Sequence, residues 1–130
     1  MTRASSDNQK AAETRTSPER RPRVVPSVRF ERVFTTEGVH PYDDVVWENR
    51  DVVQTNWKTN ETVFEQRGVE FPDFWSVNAY TIVTTKYFRG AVGTSQREHS
   101  LRQLIDRVVL TYGRAGREHG YFATAQDAEI

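Results

Sequence analysis

Phe64-Glu-Gln-Arg-Gly-Val-Glu-Phe-Pro-Asp-Phe-Trp75 is where the period of this 130-residue sequence changes. Before it, apolar residues come in short, strand-like runs; after Pro72 they return every three or four positions. Thr62-Val-Phe-Glu-Gln66 reads as a strand. Downstream, Val77, Tyr80, Thr84, Tyr87 and Phe88 fall at helical spacing behind a cap at Asp73 or Ser76. The β-branched run Thr81-Ile-Val-Thr-Thr85 weakens that helix, and Gly90-Ala-Val-Gly93 interrupts it.

Working upstream, residues 45–53 form a second strand candidate, which Glu48-Asn-Arg-Asp51 could split with a turn. Lys58-Thr-Asn-Glu61 is turn material, and Val28-Arg-Phe-Glu-Arg-Val-Phe34 reads as a strand with one wet face. These three pieces predict a small antiparallel meander.

Working downstream, Ser95-Gln-Arg-Glu98 fits a capping box. Leu101, Leu104, Ile105, Val108, Val109 and Tyr112 then form one apolar stripe, with Gly113 and Gly116 expected to end the helix. Glu98, Arg102 and Asp106 lie four apart and can pair along the helix surface. Thr124-Ala-Gln-Asp127 looks like the cap and first turn of another helix, which the sequence leaves at Ile130. A helix so short does not hold alone, which leads us to expect a piece of a longer protein. The fold class is therefore α+β: a strand meander followed by two or three amphipathic helices.

Residues 1–26 are rich in Ala, Ser, Thr, Arg, Glu and Pro with no apolar period, and are expected to be a disordered tail before a domain spanning residues 27–130. Eighteen basic and eighteen acidic residues cancel, so no overall field favours nucleic acid or a membrane. There is no cysteine, which removes disulfides, thiolate metal sites and thiol catalysis from these residues. No apolar leader or run long enough to span a bilayer occurs, and a cytoplasmic location is expected.

Candidate chemistry is sparse. His40, His99 and His119 have no metal-site spacing. His40, beside Pro41 and near Asp43 and Asp44, reads as a hydrogen-bonded loop position, and the adjacent aspartates would point to opposite faces of a strand. Gly90-Ala-Val-Gly-Thr-Ser95 could hold an anion at a helix N-terminus, but it lacks the Walker lysine and reads better as a tight turn. Phe71, Phe74, Trp75, Tyr87 and Phe88 read as core rather than a base-stacking surface, and Arg15, Arg20, Arg21, Arg23 and Arg29, interleaved with Glu13 and Glu19, as a solvated linker. No catalytic, cofactor-binding or metal-ligating residue is assigned.

Four runs carry a resemblance: Arg32-Val-Phe-Thr-Thr-Glu-Gly-Val-His-Pro-Tyr-Asp43, Phe64-Glu-Gln-Arg-Gly-Val-Glu-Phe-Pro-Asp-Phe-Trp-Ser-Val-Asn78, Val83-Thr-Thr-Lys-Tyr-Phe-Arg-Gly90 and Arg102-Gln-Leu-Ile-Asp-Arg-Val-Val109, extended by Gly120-Tyr-Phe122 and Asp127-Ala-Glu129. With them the sequence resembles the N-terminal domain of adenosylcobalamin-dependent (class II) ribonucleotide reductases. The resemblance implies a parent ribonucleoside-diphosphate or triphosphate reductase using an adenosylcobalamin-initiated thiyl radical. It implies a downstream ten-stranded barrel bearing the cysteines, with ribonucleotide substrates, deoxynucleotide effectors and a homodimer as a candidate state of the parent. On this reading the segment is scaffold, inactive alone and not expected to hold the cobalamin itself. The alternative is a free-standing regulatory or interaction domain that partners a separately encoded barrel chain.

Overall fold

The computed structural model describes residues 25–130. The expectation for residues 1–26 therefore lies, except for its last two positions, outside the described residues. Two strands, β1 (Trp47–Thr55) and β2 (Thr62–Pro72), pair antiparallel as a hairpin, followed by α1 (Val77–Lys86), α2 (Leu101–Glu118) and the short α3 (Ala125–Glu129). The architecture is α+β, as the change of period predicts.

The hairpin is longer and more continuous than its sequence suggests. Glu48-Asn-Arg-Asp51 does not turn; it stays in β1, and the irregularity falls on the partner strand. Arg50 pairs with Val69 and Val52 with Gln66, so Arg67 and Gly68 together oppose Asp51. Gly68 takes a φ of +68°, which only glycine adopts without strain, and its amide donates to Asp51 Oδ1 at 2.9 Å. The bulge lets β2 continue to Pro72, six residues beyond Gln66.

Val28–Phe34 is the expected strand that does not form. Val28 makes one parallel bridge to Phe122, with its amide on Tyr121 O (3.0 Å) and its carbonyl accepting from Ala123 N (2.9 Å). The Phe30 amide donates to Asp127 Oδ1 at 2.9 Å, and among the described residues no neighbouring strand is offered beyond it. The segment is laid along the α2–α3 junction instead of a sheet edge.

Ser76 caps α1, its Oγ accepting from the Ala79 amide at 3.2 Å, which resolves the choice between Asp73 and Ser76. Within the helix, the hydroxyls of Thr84 and Thr85 donate to the carbonyls of Tyr80 (2.7 Å) and Thr81 (2.8 Å). Thr84 can therefore be fully buried without stranding a polar group.

The cap of α2 lies five residues beyond the expected one. Ser100 Oγ accepts from Arg102 N at 3.1 Å, while Gln103 Oε1 accepts from the amides of His99 (2.8 Å) and Ser100 (3.2 Å). Glu98 instead accepts from the Arg89 amide at 2.9 Å and from Arg107 Nε at 2.8 Å. Burial pushes the Glu98 carboxyl up, but the Arg107 guanidinium and the Arg89 amide outweigh it and hold it below the usual carboxylate range. Nor do Gly113 and Gly116 stop the helix, which runs to Glu118 and is followed by Gly120 at a φ of +67°. Gly116 serves close packing: a Cβ there would lie 2.3 Å from Phe122 Cε2. The cap assignment predicts that Ser100→Ala lowers stability by about 1 kcal/mol, while Ser95→Ala changes it by less than about 0.5 kcal/mol in urea unfolding. Equal losses would restore the Ser95 box.

The core sits where the base of the hairpin meets the starts of both long helices. Val52, Val69, Phe71, Tyr80, Phe88 and Leu101 are buried, with Trp47, Phe64, Trp75, Val83, Leu104 and Ile105 packed around them. Of the five aromatics expected there, Phe71 and Phe88 are buried and Trp75 partly so, whereas Phe74 and Tyr87 face solvent. Among the described residues no helix is long and apolar enough to cross a membrane.

Candidate functional site

Beyond the core, the stripe on α2 runs out of cover. Leu101, Leu104 and Ile105 pack inward, but Val108, Val109, Leu110 and Tyr112 are exposed. Beside this uncovered half, residues 32–42 form a loop that closes one wall of a groove of about 500 Å³, with Ile105, Val109 and Leu110 opposite and Ile130 at its rim.

The loop is fixed by a polar network. Pro41–Asp44 forms one 3-10 turn, capped by His40, whose Nδ1 accepts from the Tyr42 amide at 3.2 Å. The Tyr42 hydroxyl donates to Asp106 Oδ1 at 2.7 Å, and Trp47 Nε1 donates to the Tyr42 carbonyl at 2.9 Å. Burial, reinforced by the hydrogen bond to the Asp106 carboxylate, pushes the Tyr42 hydroxyl well above its usual range. Arg102 lies over the Trp47 ring (4.3 Å) and meets Glu70 with Nε at 3.0 Å and Nη2 at 3.1 Å. Glu70 Oε1 also takes the Ser100 hydroxyl at 2.6 Å. Arg102 and Asp106 thus find partners on other elements, and Glu98, in the loop before α2, pairs with Arg107 rather than Arg102.

The remaining sequence candidates are scattered. His99 is exposed before α2 and lends its carbonyl to the Glu70 amide (2.7 Å), while His119 follows the last turn of α2. Asp43 and Asp44 lie exposed in the 3-10 turn, not in a strand. Ser95 stands well before Leu101, so residues 90–95 are not at the N-terminus of α2. Gly90, at a φ of +84°, lets the loop close, because a Cβ there would lie 2.3 Å from the Gln96 carbonyl oxygen. The basin beside this loop includes Arg67, whose guanidinium is already paired with Glu65 (2.6 Å) and Asp51 (3.0 Å). Arg29 sits in the segment that crosses the α2–α3 junction; the other tail arginines lie outside the described residues.

Among the described residues no group of three or more His, Cys, Asp or Glu is placed to hold a metal ion. The groove does not suit a corrin. The one histidine on its lining, His40, has its Nδ1 taken by the Tyr42 amide. The groove is small for a corrin with its nucleotide arm. The residues here do not fit that group.

A family model described as class II vitamin B12-dependent ribonucleotide reductase matches residues 49–130. The chain belongs to that family. Proteins named vitamin B12-dependent ribonucleotide reductase are 71% identical in Streptomyces clavuligerus and 69% in Streptomyces coelicolor, each over 103 residues covering 79% of this chain. One from Rhodopirellula baltica is 36% identical over 104 residues, 78% of the chain. The chain spans about a tenth of the length of these curated relatives, the match covering 11% of the two Streptomyces proteins and 10% of the third. No solved structure matches.

What sequence reasoning missed is the exposed pair Val33-Phe34, which it placed on a strand. The available signal was a slip in the alternation: Glu31 and Arg32 are both polar and Val33 and Phe34 both apolar. That pattern suits a loop presenting two apolar residues together.

Proposed function

We propose that this chain is the N-terminal scaffold of a reductase that makes deoxyribonucleotides from ribonucleotides by adenosylcobalamin-initiated thiyl-radical chemistry. The observation that carries the reading is the family match over residues 49–130 in a chain without a single cysteine. The radical-bearing thiol and the reducing thiol pair must then belong to other polypeptide, a ten-stranded barrel, together with the cobalamin, the di- or triphosphate substrate and the deoxynucleotide effectors. Residues 27–130 act as one unit whose task is packing, with no catalytic, cofactor-binding or metal-ligating residue among them. The parent works in the cytoplasm and needs no nucleic acid or membrane.

The uncovered half of α2 supports a scaffold role. An apolar face of this kind on a small unit is more often an interface than a solvated surface. The test is a chimaera in which this chain's residues replace the 103 matched residues of the Streptomyces clavuligerus reductase. It is expected to form deoxyribonucleotides only with adenosylcobalamin and a dithiol, at a rate within about tenfold of the unmodified enzyme, since packing rather than chemistry is exchanged. The 130-residue chain alone is expected to form none. A folded, soluble chimaera without turnover, or turnover by the chain alone, would overturn the reading.

A further inference from the structure

The strongest anomaly on the surface is Phe34, 97% exposed, beside Val33 at 77%. An isolated exposed apolar residue is ordinary, but these two are held out by bonds on both sides. Upstream, Val28 is bonded to Tyr121 and Ala123, and the Phe30 amide to Asp127. The Asp127 carboxyl is held below its usual range by the Thr124 hydroxyl and then by that Phe30 amide, so it is charged at neutral pH. Within the loop, Arg32 Nη1 donates to Thr35 Oγ1 at 3.1 Å across the Val33-Phe34 pair, and the Val39 amide donates to Thr36 O at 3.2 Å. Downstream, Tyr42 is pinned to Asp106. Arg32 and Thr35, which flank the pair, both line the groove whose other wall is Val109 and Leu110. An aromatic knob on a pre-ordered loop loses little conformational freedom when it docks, which is what makes such residues dominate interfaces.

We propose that Val33 and Phe34 are the principal anchor by which this segment grips the rest of the reductase polypeptide, with Phe34 seated in an apolar pocket of that partner and the groove beside it covered by the same surface. This deepens the scaffold reading and rests on it. The occupant follows from the comparison of lengths: roughly nine-tenths of each matched reductase lies outside the matched segment, so the partner is present in every copy. Trp57, another exposed aromatic at 82%, lies in the turn that joins β1 to β2. That turn is at the opposite end of the hairpin from Trp47, which meets the loop through Tyr42.

The chimaera with the Streptomyces clavuligerus reductase provides the test, read by limited proteolysis at the junction following this chain's residues and, separately, by deoxyribonucleotide formation. Phe34→Asp is expected to speed cleavage roughly tenfold or more, the population shift expected when an interface anchor is lost. Phe34→Leu should keep cleavage slow, and Trp57→Asp, the same change at another highly exposed aromatic, should stay within about twofold of the unmodified chimaera. Cleavage unchanged by Phe34→Asp, or accelerated equally by Trp57→Asp, overturns the proposal. A dimer that depends on Phe34 while cleavage stays unchanged also overturns it, since a second copy would then be the occupant. An unmodified chimaera that resists cleavage but lacks turnover refutes the reductase reading and leaves this docking result standing.

Discussion

Phe71→Ala is expected to cost the segment about 3–5 kcal/mol, the usual range for removing a fully buried aromatic side chain. Small domains have roughly 5–15 kcal/mol in total, so the variant should be largely unfolded at modest urea concentrations. Phe71 has no exposed surface and makes three ring contacts: stacked on Phe88 (5.6 Å, 17°), and tilted against Trp75 (5.4 Å) and Tyr80 (5.8 Å). It comes from β2, whose backbone pairs Phe71 with Glu48, and its ring neighbours come from α1 and the segments flanking it. One side chain therefore ties the hairpin to the first helix, and little else in the core could close over the cavity it would leave. Val63→Ala on the same strand is the control, because Val63 is exposed and should lose less than about 0.5 kcal/mol. A midpoint for Phe71→Ala that corresponds to less than about 1 kcal/mol would show that the core lies elsewhere.

How far this core could be read in advance depended on the distance over which each signal acts. The α2 stripe and the turn around Asn60 were legible because their causes are local: an apolar residue every third or fourth position, and a polar run at the hairpin turn where Asn60 takes a φ of +56°. The full length of β2 was not, because its continuation past Gly68 depends on Asp51 across the sheet. The cap of α2 was misplaced for the same reason. Ser95 and Glu98 have the right spacing, but Arg89 and Arg107 claim Glu98 from outside that spacing, and Glu70 on β2 secures Ser100. Propensity ranked both serines alike, and tertiary partners chose between them. Phe74 and Tyr87 share the composition of core aromatics yet face solvent, a distinction that needs the direction of each side chain and not its period.

The surface reading divides along the same line. That the chain supplies no thiol chemistry follows from its composition, since a sequence without cysteine offers no thiol however it folds. The groove was illegible because its walls are more than sixty residues apart in sequence and are joined through Tyr42 and Asp106. Val33 and Phe34 were hidden for a different reason: an apolar residue in a short run is read as inward by default. Only a map of which strands exist shows that, among the described residues, no sheet is there to receive them.

Arg97→Met should be the second most damaging change, at about 2–4 kcal/mol, because it strands several acceptors at once. Arg97 Nε donates to Gln66 Oε1 (2.9 Å), Nη1 to the carbonyls of Phe88 (2.7 Å) and Gly90 (3.1 Å), and Nη2 to Thr84 O (2.5 Å). Those carbonyls belong to the last turn of α1 and the chain leaving it, where no intrahelical amide is available. The positive charge also suits the negative end of that helix, and the guanidinium lies over the Phe88 ring at 5.8 Å. Methionine fills much of the same volume with no donor, so the loss measures bonds more than packing. Arg97→Lys separates charge from geometry: an ammonium restores the charge but cannot spread donors from β2 across to the end of α1, and it should recover no more than about half of the loss. Hydrogen exchange at the Glu98 amide, bonded to Arg89 O at 2.9 Å, should quicken in both variants, because the loop it closes is the one Arg97 holds. If Arg97→Lys unfolds at the wild-type urea midpoint with the Glu98 amide still protected, the fork geometry is irrelevant and a positive charge alone secures the turn between α1 and α2.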